Sequence, residues 1–174
     1  LLNPFIRNQF YITLLYMLYW VFDLDATLYK IDDSLIFTYS LLKRDLQLNY
    51  LLSILPCKKI IFSNGTKGHV LTTIKKLEIE DTFERSNIYG RDTLNDLKPN
   101  VSAFNKFIKR VDIKTNDKVV FFEDNVDNLI TAKNFNWITV LVSERKVLIP
   151  EIDFWFPTIH VALNYFNSKI STKK

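Results

Sequence analysis

Short apolar runs alternate along the chain with longer segments in which apolar residues recur at helical spacing. Runs of the first kind predict buried strands, and apolar residues three or four positions apart predict helices that cover them. The predicted strands are a run ending at Phe22, then 59–62, 83–89, 118–122 and 137–142, and the predicted helices are 34–53, 67–77, 100–111, 126–135 and 158–166. This alternation is typical of an α/β protein with a parallel sheet covered by helices on both faces.

The first predicted helix depends on a polar start and a series of spaced apolar residues. The polar residues 32–34 can cap its N-terminus, and Pro56 stops it beyond Ser53. The apolar positions at helical spacing are Leu35, Ile36, Tyr39, Leu42 and Leu46. We therefore expect one helix between the first and second strands.

Polar residues follow three of the predicted strands at the point where each strand ends. These residues are Asp23 and Asp25, Ser63 and Asn64, and Glu123 and Asp124. Because parallel strands present their carboxyl ends at one edge of the sheet, the three pairs are expected to converge. Carboxylates buried at such an edge are costly unless a cation, a proton or a chemical role accompanies them.

Each of these features also has a plain structural interpretation when it is taken alone. The carboxylates within residues 23–25 are compatible with a helix-capping turn, and Glu123-Asp124 is compatible with an acidic turn. Ser63-Asn64-Gly65 is typical of a turn that caps a helix, and Lys98-Pro99 is typical of a surface lysine before a helix. Their order along the chain and their placement at strand ends together favour a functional site.

The same series resembles the four ordered motifs of the haloacid dehalogenase-like (HAD) hydrolases. The matching segments are Val21-Phe22-Asp23-Leu24-Asp25-Ala26-Thr27-Leu28-Tyr29, Ile61-Phe62-Ser63-Asn64-Gly65, Leu97-Lys98-Pro99 and Phe121-Phe122-Glu123-Asp124-Asn125. The resemblance covers residues 18–142 and implies a Rossmann-like three-layer core around a central parallel sheet. It is closest to the pyrimidine 5′-nucleotidase branch, in which the equivalents of Lys67, His69, Asp92-Thr93-Leu94 and Asn128-Leu129 also recur.

The resemblance implies a role for each residue of the series. Asp23 is expected to attack phosphorus as the nucleophile and form an aspartyl-phosphate, while Asp25 protonates the leaving oxygen and then activates water. Lys98 is expected to offset charge on Asp23 and on the phosphate, which makes it both catalytic and substrate-binding. Ser63-Asn64-Gly65 precedes a predicted helix and is expected to bind phosphate oxygens.

The charges expected at this edge of the sheet call for a metal ion. Asp23, Asp25, Glu123 and Asp124 together carry up to four negative charges, and a phosphate dianion would add to them. A divalent cation and Lys98 would balance most of this charge, and the all-oxygen donor set favours Mg²⁺ over Zn²⁺. The resemblance implies that the Asp23 carboxylate, the Asp25 backbone carbonyl and Asp124 hold the metal, with Glu123 as a further ligand or a neighbour of the ligands.

The interval between Thr27 and Ser63 is too short for the helical cap that related nucleotidases carry there. Residues 28–58 leave room for a flap and a cap reduced to about one helix, so the determinants of nucleotide specificity would lie in the missing segment. The favoured function is a Mg²⁺-dependent phosphomonoester hydrolase acting on a nucleoside 5′-monophosphate or another small phosphorylated metabolite. A nearly capless phosphatase of phosphoproteins or nucleic-acid ends stays open, as does a non-catalytic interaction module. Closure of the site by a second subunit of an oligomer also stays open.

Composition and charge bear on the number of domains, the partners and the cellular location. The 174 residues fit a single domain, 48% of them are hydrophobic and 24% charged, and we find no repeat or linker. The net charge of +4 is scattered, which does not favour a nucleic-acid partner. The single cysteine, Cys57, excludes an internal disulfide and, together with the lack of a signal-peptide cleavage site, favours a cytoplasmic location.

Residues 1–17 form an apolar lead-in to the first strand. The apolar run from Phe10 to Phe22 is shorter than the roughly 20 residues needed to span a bilayer, and it leads directly into Asp23. We therefore expect buried packing and no membrane association. The chain begins with Leu1 rather than Met, which leaves a truncated start open.

Overall fold

Six parallel strands form one sheet in the described part of the chain. The computed structural model describes residues 19–31 and 38–171, so the predicted lead-in over 1–17 and residues 32–37 lie outside it. The strands are β1 (Tyr19–Phe22), β2 (Lys58–Phe62), β3 (Ile88–Tyr89), β4 (Val119–Glu123), β5 (Ile138–Val142) and β6 (Phe154–Phe156). Their order is β3-β2-β1-β4-β5-β6, which places β1 between β2 and β4. The predicted Rossmann-like parallel sheet is confirmed.

Helices cover both faces of the sheet and complete three layers. They are α1 (Leu46–Ser53), α2 (Lys67–Lys76), α3 (Arg91–Leu94), α4 (Val101–Val111), α5 (Val126–Lys133) and α6 (Ile159–Ser171), and 3₁₀ turns lie at Tyr39–Leu41, Glu80–Thr82 and Arg85–Asn87. Side chains alternate along β1, so Trp20 and Phe22 lie in the core formed with α1, α2 and α6. Val21 lies in the second core, which is formed with α4 and α5. The central strand is therefore buried on both faces, as its apolar sequence predicts.

The predicted start of the first helix is wrong. Helix α1 begins only at Leu46, where the Asp45 carboxylate caps it by accepting a hydrogen bond from the Leu48 N–H at 2.9 Å. Tyr39 is 36% exposed and Leu46 is 59% exposed, so these two of the apolar positions that predicted a longer helix do not face the core. Helical spacing alone therefore did not reveal which of these residues are buried.

Two short elements were not predicted, and one predicted strand is shorter than expected. Helix α3 has four residues and β6 has three, so neither is long enough to show an apolar period. The strand predicted over 83–89 is reduced to β3, because the 3₁₀ turn at Arg85–Asn87 occupies its centre. None of the helices in the described ranges is long and apolar enough to cross a membrane.

In the described residues between β1 and β2 the cap is small. Helix α1 buries Leu48, Leu51 and Leu52 in the core beside the sheet, so it belongs to a layer of the fold. The described residues that remain for a cap are the flap after β1 and the 3₁₀ turn at Tyr39–Leu41. The helix expected in this interval is present, but it covers the sheet rather than the ends of the strands.

Candidate active site

The carboxyl ends of β1, β2 and β4 meet at one edge of the sheet. Phe22, the last residue of β1, pairs with Ile61 of β2 and with Phe122 of β4. Asp23 continues this pairing, because its N–H donates to the Phe122 carbonyl at 2.9 Å. The strand-end residues predicted to converge therefore lie on neighbouring strands at the centre of the sheet.

Lys98 is buried between two carboxylates at this edge. Its Nζ donates to Asp23 Oδ1 and to Glu123 Oε2, each at 2.7 Å, and its side chain is 0% exposed. The ring centroids of Phe62 and Phe121 lie 5.1 Å and 5.2 Å from the ammonium, which adds cation–π attraction. Lys98 is therefore a built-in counterion of the site and not a surface lysine.

Asn64 fixes the backbone that carries Lys98. Its Oδ1 accepts from the Lys98 N–H at 2.8 Å, and its Nδ2 donates to the Lys98 carbonyl at 2.9 Å. Both ends of the side-chain amide are thus engaged by a single residue. The Asn64 side chain therefore positions Lys98, and the contact of Asn64 with phosphate stays a prediction.

Glu123 is buried and receives four hydrogen bonds on its carboxylate. Oε2 accepts from Lys98 Nζ and from Asn128 Nδ2, the latter at 2.9 Å. Oε1 accepts from the backbone N–H groups of Asp124 and Asn125, each at 3.1 Å. Because a carboxylate offers about four acceptor positions, these donors fill the group. Glu123 therefore links Lys98 to the loop that begins α5.

Three carboxylates form a group that could hold a metal ion. One oxygen from each of Asp23, Glu123 and Asp124 lies within 4.8 Å of the others. Asp124 is only partly buried, and Thr27 Oγ1 donates to its Oδ1 at 3.3 Å. The group therefore has a buried side at Glu123 and a solvent-facing side at Asp124.

Burial shifts the pKa values of the charged groups in this cluster. Burial raises the pKa of Asp23 to about 7, with the nearby Glu123 charge adding to the rise and Lys98 opposing it. Burial also raises the pKa values of Glu123 and Asp124. Burial alone would lower the pKa of Lys98, but its two carboxylate partners raise it, so the ammonium stays charged. A further cation beside Asp23 and Asp124 would relieve this crowding of negative charge.

The carboxyl of Asp25 contacts a histidine rather than Lys98. The chain turns directly after it, because Ala26 adopts a left-handed φ of 61°. Asp25 Oδ1 accepts from His69 Nε2 at 2.8 Å and also from the Tyr29 hydroxyl. The sequence marks His69 only as one of the residues that recur in the nucleotidase branch. Its contact with Asp25 joins residues 44 positions apart and could not be predicted from a local pattern.

Small residues allow the Ser63-Asn64-Gly65 turn to lie close to its neighbours. The Ser63 hydroxyl accepts from the Gly65 N–H at 2.9 Å, which leaves its own hydrogen to donate. A Cβ on Gly65 would lie 2.6 Å from the His69 ring. A Cβ on Gly90 would lie 2.7 Å from the Gly65 carbonyl and 2.5 Å from the first backbone nitrogen of α2. These two glycines therefore allow the turn, His69 and the loop after β3 to lie close to one another.

Comparison with known families gives the class of this arrangement. The family model described as haloacid dehalogenase-like hydrolase matches residues 48–142, more than half of the chain. The chain therefore belongs to the haloacid dehalogenase-like hydrolases. The matched range contains Ser63, Lys98 and Asp124, whereas Asp23 precedes it.

Solved structures with a similar fold include enzymes of different chemistry. The L-2-haloacid dehalogenase from Xanthobacter autotrophicus, with chloropropionic acid covalently bound, is 16% identical and has a TM-score of 0.59, over 74% of this chain and 63% of that one. A HAD phosphatase from Thermococcus onnurineus is 20% identical with a TM-score of 0.54, over 71% and 54% of the two chains. The HAD hydrolase YfnB from Bacillus subtilis, bound to magnesium, is 14% identical with a TM-score of 0.54, over 71% and 52%.

These identities support a shared fold and do not transfer a reaction. The chain spans between about half and two thirds of the length of these three structures. No curated protein matches the sequence. The reaction of this chain therefore has to be inferred from its own site.

Proposed function

We propose that the chain is a Mg²⁺-dependent phosphomonoester hydrolase that acts through an aspartyl-phosphate on Asp23. The observation that carries this proposal is the buried Lys98 ammonium, which bridges Asp23 and Glu123 at 2.7 Å beside the Asp124 carboxylate. A nucleophilic carboxylate next to a fixed cation suits attack on a substrate that carries negative charge.

The donor set fits Mg²⁺. The group contains only carboxylate oxygens, the donors that Mg²⁺ prefers in proteins. Because the four acceptor positions of Glu123 are filled, we assign the metal to the carboxylates of Asp23 and Asp124, with the Asp25 backbone carbonyl added by family resemblance. Bound Mg²⁺ would neutralise charge on the phosphate oxygens and so favour nucleophilic attack.

The two steps of hydrolysis use the protein's own carboxyls. In the first step an Asp23 oxygen forms a bond to phosphorus while the bond from phosphorus to the leaving oxygen breaks, and Asp25 gives its proton to that oxygen. In the second step water attacks phosphorus and loses a proton to the Asp25 carboxylate, and the bond between Asp23 and phosphorus breaks. Lys98 holds Asp23 in place throughout, and the Ser63 hydroxyl is available to donate to a phosphate oxygen.

Phosphate transfer accounts for more of this site than dehalogenation does. A halide leaves as a stable anion, so a dehalogenase needs no acid for its leaving group, whereas an alkoxide leaving from phosphorus does. Asp25 is held two residues beyond the nucleophile by donors from His69 and Tyr29. Dehalogenation would give this carboxyl no role as an acid, whereas phosphoester hydrolysis does.

The small cap bears on the substrate. We propose a nucleoside 5′-monophosphate or another small phosphorylated metabolite, because the motifs are closest to those of pyrimidine 5′-nucleotidases. The described flap and the 3₁₀ turn at Tyr39–Leu41 leave the strand ends less covered than a helical cap would. This openness favours two alternatives. The substrate would be a macromolecular phosphoester, or a second subunit would close the site over a small one. The single domain and the cytoplasmic location stay predictions from the sequence.

A panel of substrates tests the proposal. Purified protein with Mg²⁺ is given nucleoside monophosphates, sugar phosphates, phosphopeptides, 5′-phosphorylated oligonucleotides and 2-chloropropionate, and release of phosphate or chloride is measured. We expect phosphate release from at least one ester, no chloride release, and loss of activity in Asp23→Asn. Asp127→Asn is the matched control, because Asp127 is an acidic residue of α5 whose side chain forms no hydrogen bond or ion pair with the site residues within the described ranges. Chloride release, or phosphate release that persists in Asp23→Asn, would contradict the proposal.

A further inference from the structure

His69 connects the small cap to the carboxyl of Asp25. Its Nε2 lies 2.8 Å from Asp25 Oδ1, and its Nδ1 lies 2.8 Å from the hydroxyl of Tyr39. Tyr39 belongs to the 3₁₀ turn of the cap, and His69 belongs to α2. The imidazole therefore contacts one partner in the 3₁₀ turn of the cap and one in the loop that follows β1.

The surroundings of the ring define which nitrogen carries the hydrogen. A neutral imidazole has one donor and one acceptor nitrogen. The Asp25 carboxylate can only accept, so Nε2–H donates to it, and Nδ1 accepts from the Tyr39 hydroxyl. The Gly65 position leaves space for the ring in this place, since a Cβ there would lie 2.6 Å from His69 Cδ2.

The two donors on Asp25 both point at the same oxygen. His69 Nε2 and the Tyr29 hydroxyl both donate to Oδ1, and no side chain or backbone group in the described ranges donates to Oδ2. When Asp25 is in its acid form, its proton is therefore placed on Oδ2. When that proton leaves, the negative charge is stabilised by the donors that remain on Oδ1.

We propose that His69 is a positioning residue that holds Asp25 for proton transfer to the leaving oxygen, with Tyr39 fixing the imidazole. The inference rests on the proposed phosphatase function and adds a residue to it. As the bond from phosphorus to the leaving oxygen breaks, the Oδ2 proton moves to that oxygen, and Asp25 becomes the carboxylate that His69 and Tyr29 stabilise. Tyr39 of the small cap thus affects the proton transfer through its contact with His69.

Leaving groups of different basicity separate this role from a merely structural one. p-Nitrophenolate leaves without a proton, whereas the alkoxide of β-glycerophosphate needs one. General acid catalysis contributes about 10²–10⁴-fold, and misplacing the acid loses part of it, so we expect His69→Ala to lower kcat/KM for β-glycerophosphate about 10- to 100-fold. Its kcat/KM for p-nitrophenyl phosphate, which reports only the steps up to formation of the aspartyl-phosphate, should change by less than about 3-fold, since no acid is needed there. His69→Gln, which can restore a donor to Asp25, should recover part of the loss.

His160→Gln is a matched control. His160 also contacts an aspartate at 2.8 Å, Asp45 at the start of α1, and within the described ranges neither residue forms a hydrogen bond or ion pair with a site residue. This variant should leave both rates unchanged. Tyr39→Phe should reproduce a smaller part of the His69→Ala pattern, because the imidazole then loses the donor that fixes it.

The outcomes separate the two proposals. Equal losses for both esters in His69→Ala, or no loss for either, would overturn the positioning role while the phosphatase function stands. Wild-type protein that releases phosphate from neither of these esters nor from any ester of the substrate panel would overturn the phosphatase function and this inference with it. If His69→Ala does not fold, long-range ¹H–¹⁵N spectra of the wild-type protein at pH 8 decide the question, with His160→Gln assigning the only other histidine. Hydrogen on Nε2 is the expected result, and hydrogen on Nδ1 would overturn the inference.

Discussion

Lys98 is the residue on which the buried charges of the site depend. In Lys98→Met the carboxylates of Asp23 and Glu123 stay buried without their cation, so we expect the free energy of unfolding at pH 8 to fall by about 3–5 kcal/mol. Lys133→Met is the matched control, because Lys133 pairs with Asp153 at 2.6 Å but its side chain is 33% exposed, and pairs of that kind are worth about 1 kcal/mol or less. Urea unfolding of both variants measures the difference. Equal losses would show that the buried pair is no more important than the exposed one.

Cys57 is expected to be unreactive in the folded protein. Burial raises the pKa of its thiol to about 12, above the ordinary value for cysteine, so the thiolate fraction at pH 8 is low. We expect alkylation by iodoacetamide to be slower than in urea-unfolded protein by roughly 10³-fold, which follows from a pKa rise of about 3. Because Cys57 is the only cysteine, mass spectrometry reports this rate without ambiguity. Alkylation at the same rate in both states would contradict the raised pKa of this thiol.

Substitution of Gly90 tests how closely the neighbouring elements pack around the Ser63-Asn64-Gly65 turn. In Gly90→Ala the added Cβ would meet backbone atoms at 2.5 Å and 2.7 Å, which cannot move as a side-chain end can. We expect a loss of about 1–3 kcal/mol in the free energy of unfolding from this overpacking. Gly68→Ala is the control, since a Cβ on Gly68 meets its nearest atom at 4.0 Å and should leave stability within about 1 kcal/mol of wild type. Thermal unfolding distinguishes the two, and a tolerated Gly90→Ala would contradict this packing.

The parallel sheet and the strand-end residues could be predicted because both follow from local pattern. Apolar runs mark the strands. Parallel pairing of those strands then predicts that Asp23, Ser63 and Glu123 lie at the same edge of the sheet, even when no side-chain contact is known. The limits of α1 could not be predicted, because helical spacing over Tyr39 and Leu46 does not say which side faces the core. Burial is decided by packing against other elements, and that information is not local.

The contacts of the site side chains also could not be predicted from the sequence. The four donors on Glu123, the amide contacts of Asn64 with Lys98, and the contact of His69 with Asp25 all join residues through the fold. Residue type indicated that Lys98 and the carboxylates were candidate site residues, but only the fold shows which groups each of them contacts. Glu123 illustrates this, because a predicted metal ligand proves to have its acceptor positions occupied by protein donors.

For the whole molecule, binding of Mg²⁺ should stabilise the folded state. A cation that binds only the folded protein raises the unfolding temperature with its concentration. We expect Mg²⁺ to raise Tm in wild-type protein and to have little effect in Asp124→Asn, while Asp127→Asn behaves as wild type. Glu123→Gln should lower Tm without Mg²⁺ but retain a rise when Mg²⁺ is added, because Glu123 links Lys98 to α5 rather than binding the metal. Full loss of the Mg²⁺ effect in Glu123→Gln would make Glu123 a ligand.

The central claim is that Asp23 carries the phosphoryl group during hydrolysis. In Asp25→Asn with p-nitrophenyl phosphate, the first step needs no acid but the second lacks its base, so an aspartyl-phosphate should accumulate. Acid quenching followed by peptide mass spectrometry should find one phosphoryl group on the peptide that contains Asp23, and none in the double variant Asp23→Asn/Asp25→Asn. Phosphate release from Asp25→Asn with no phosphorylated peptide, or a phosphoryl group on any residue other than Asp23, would contradict the account.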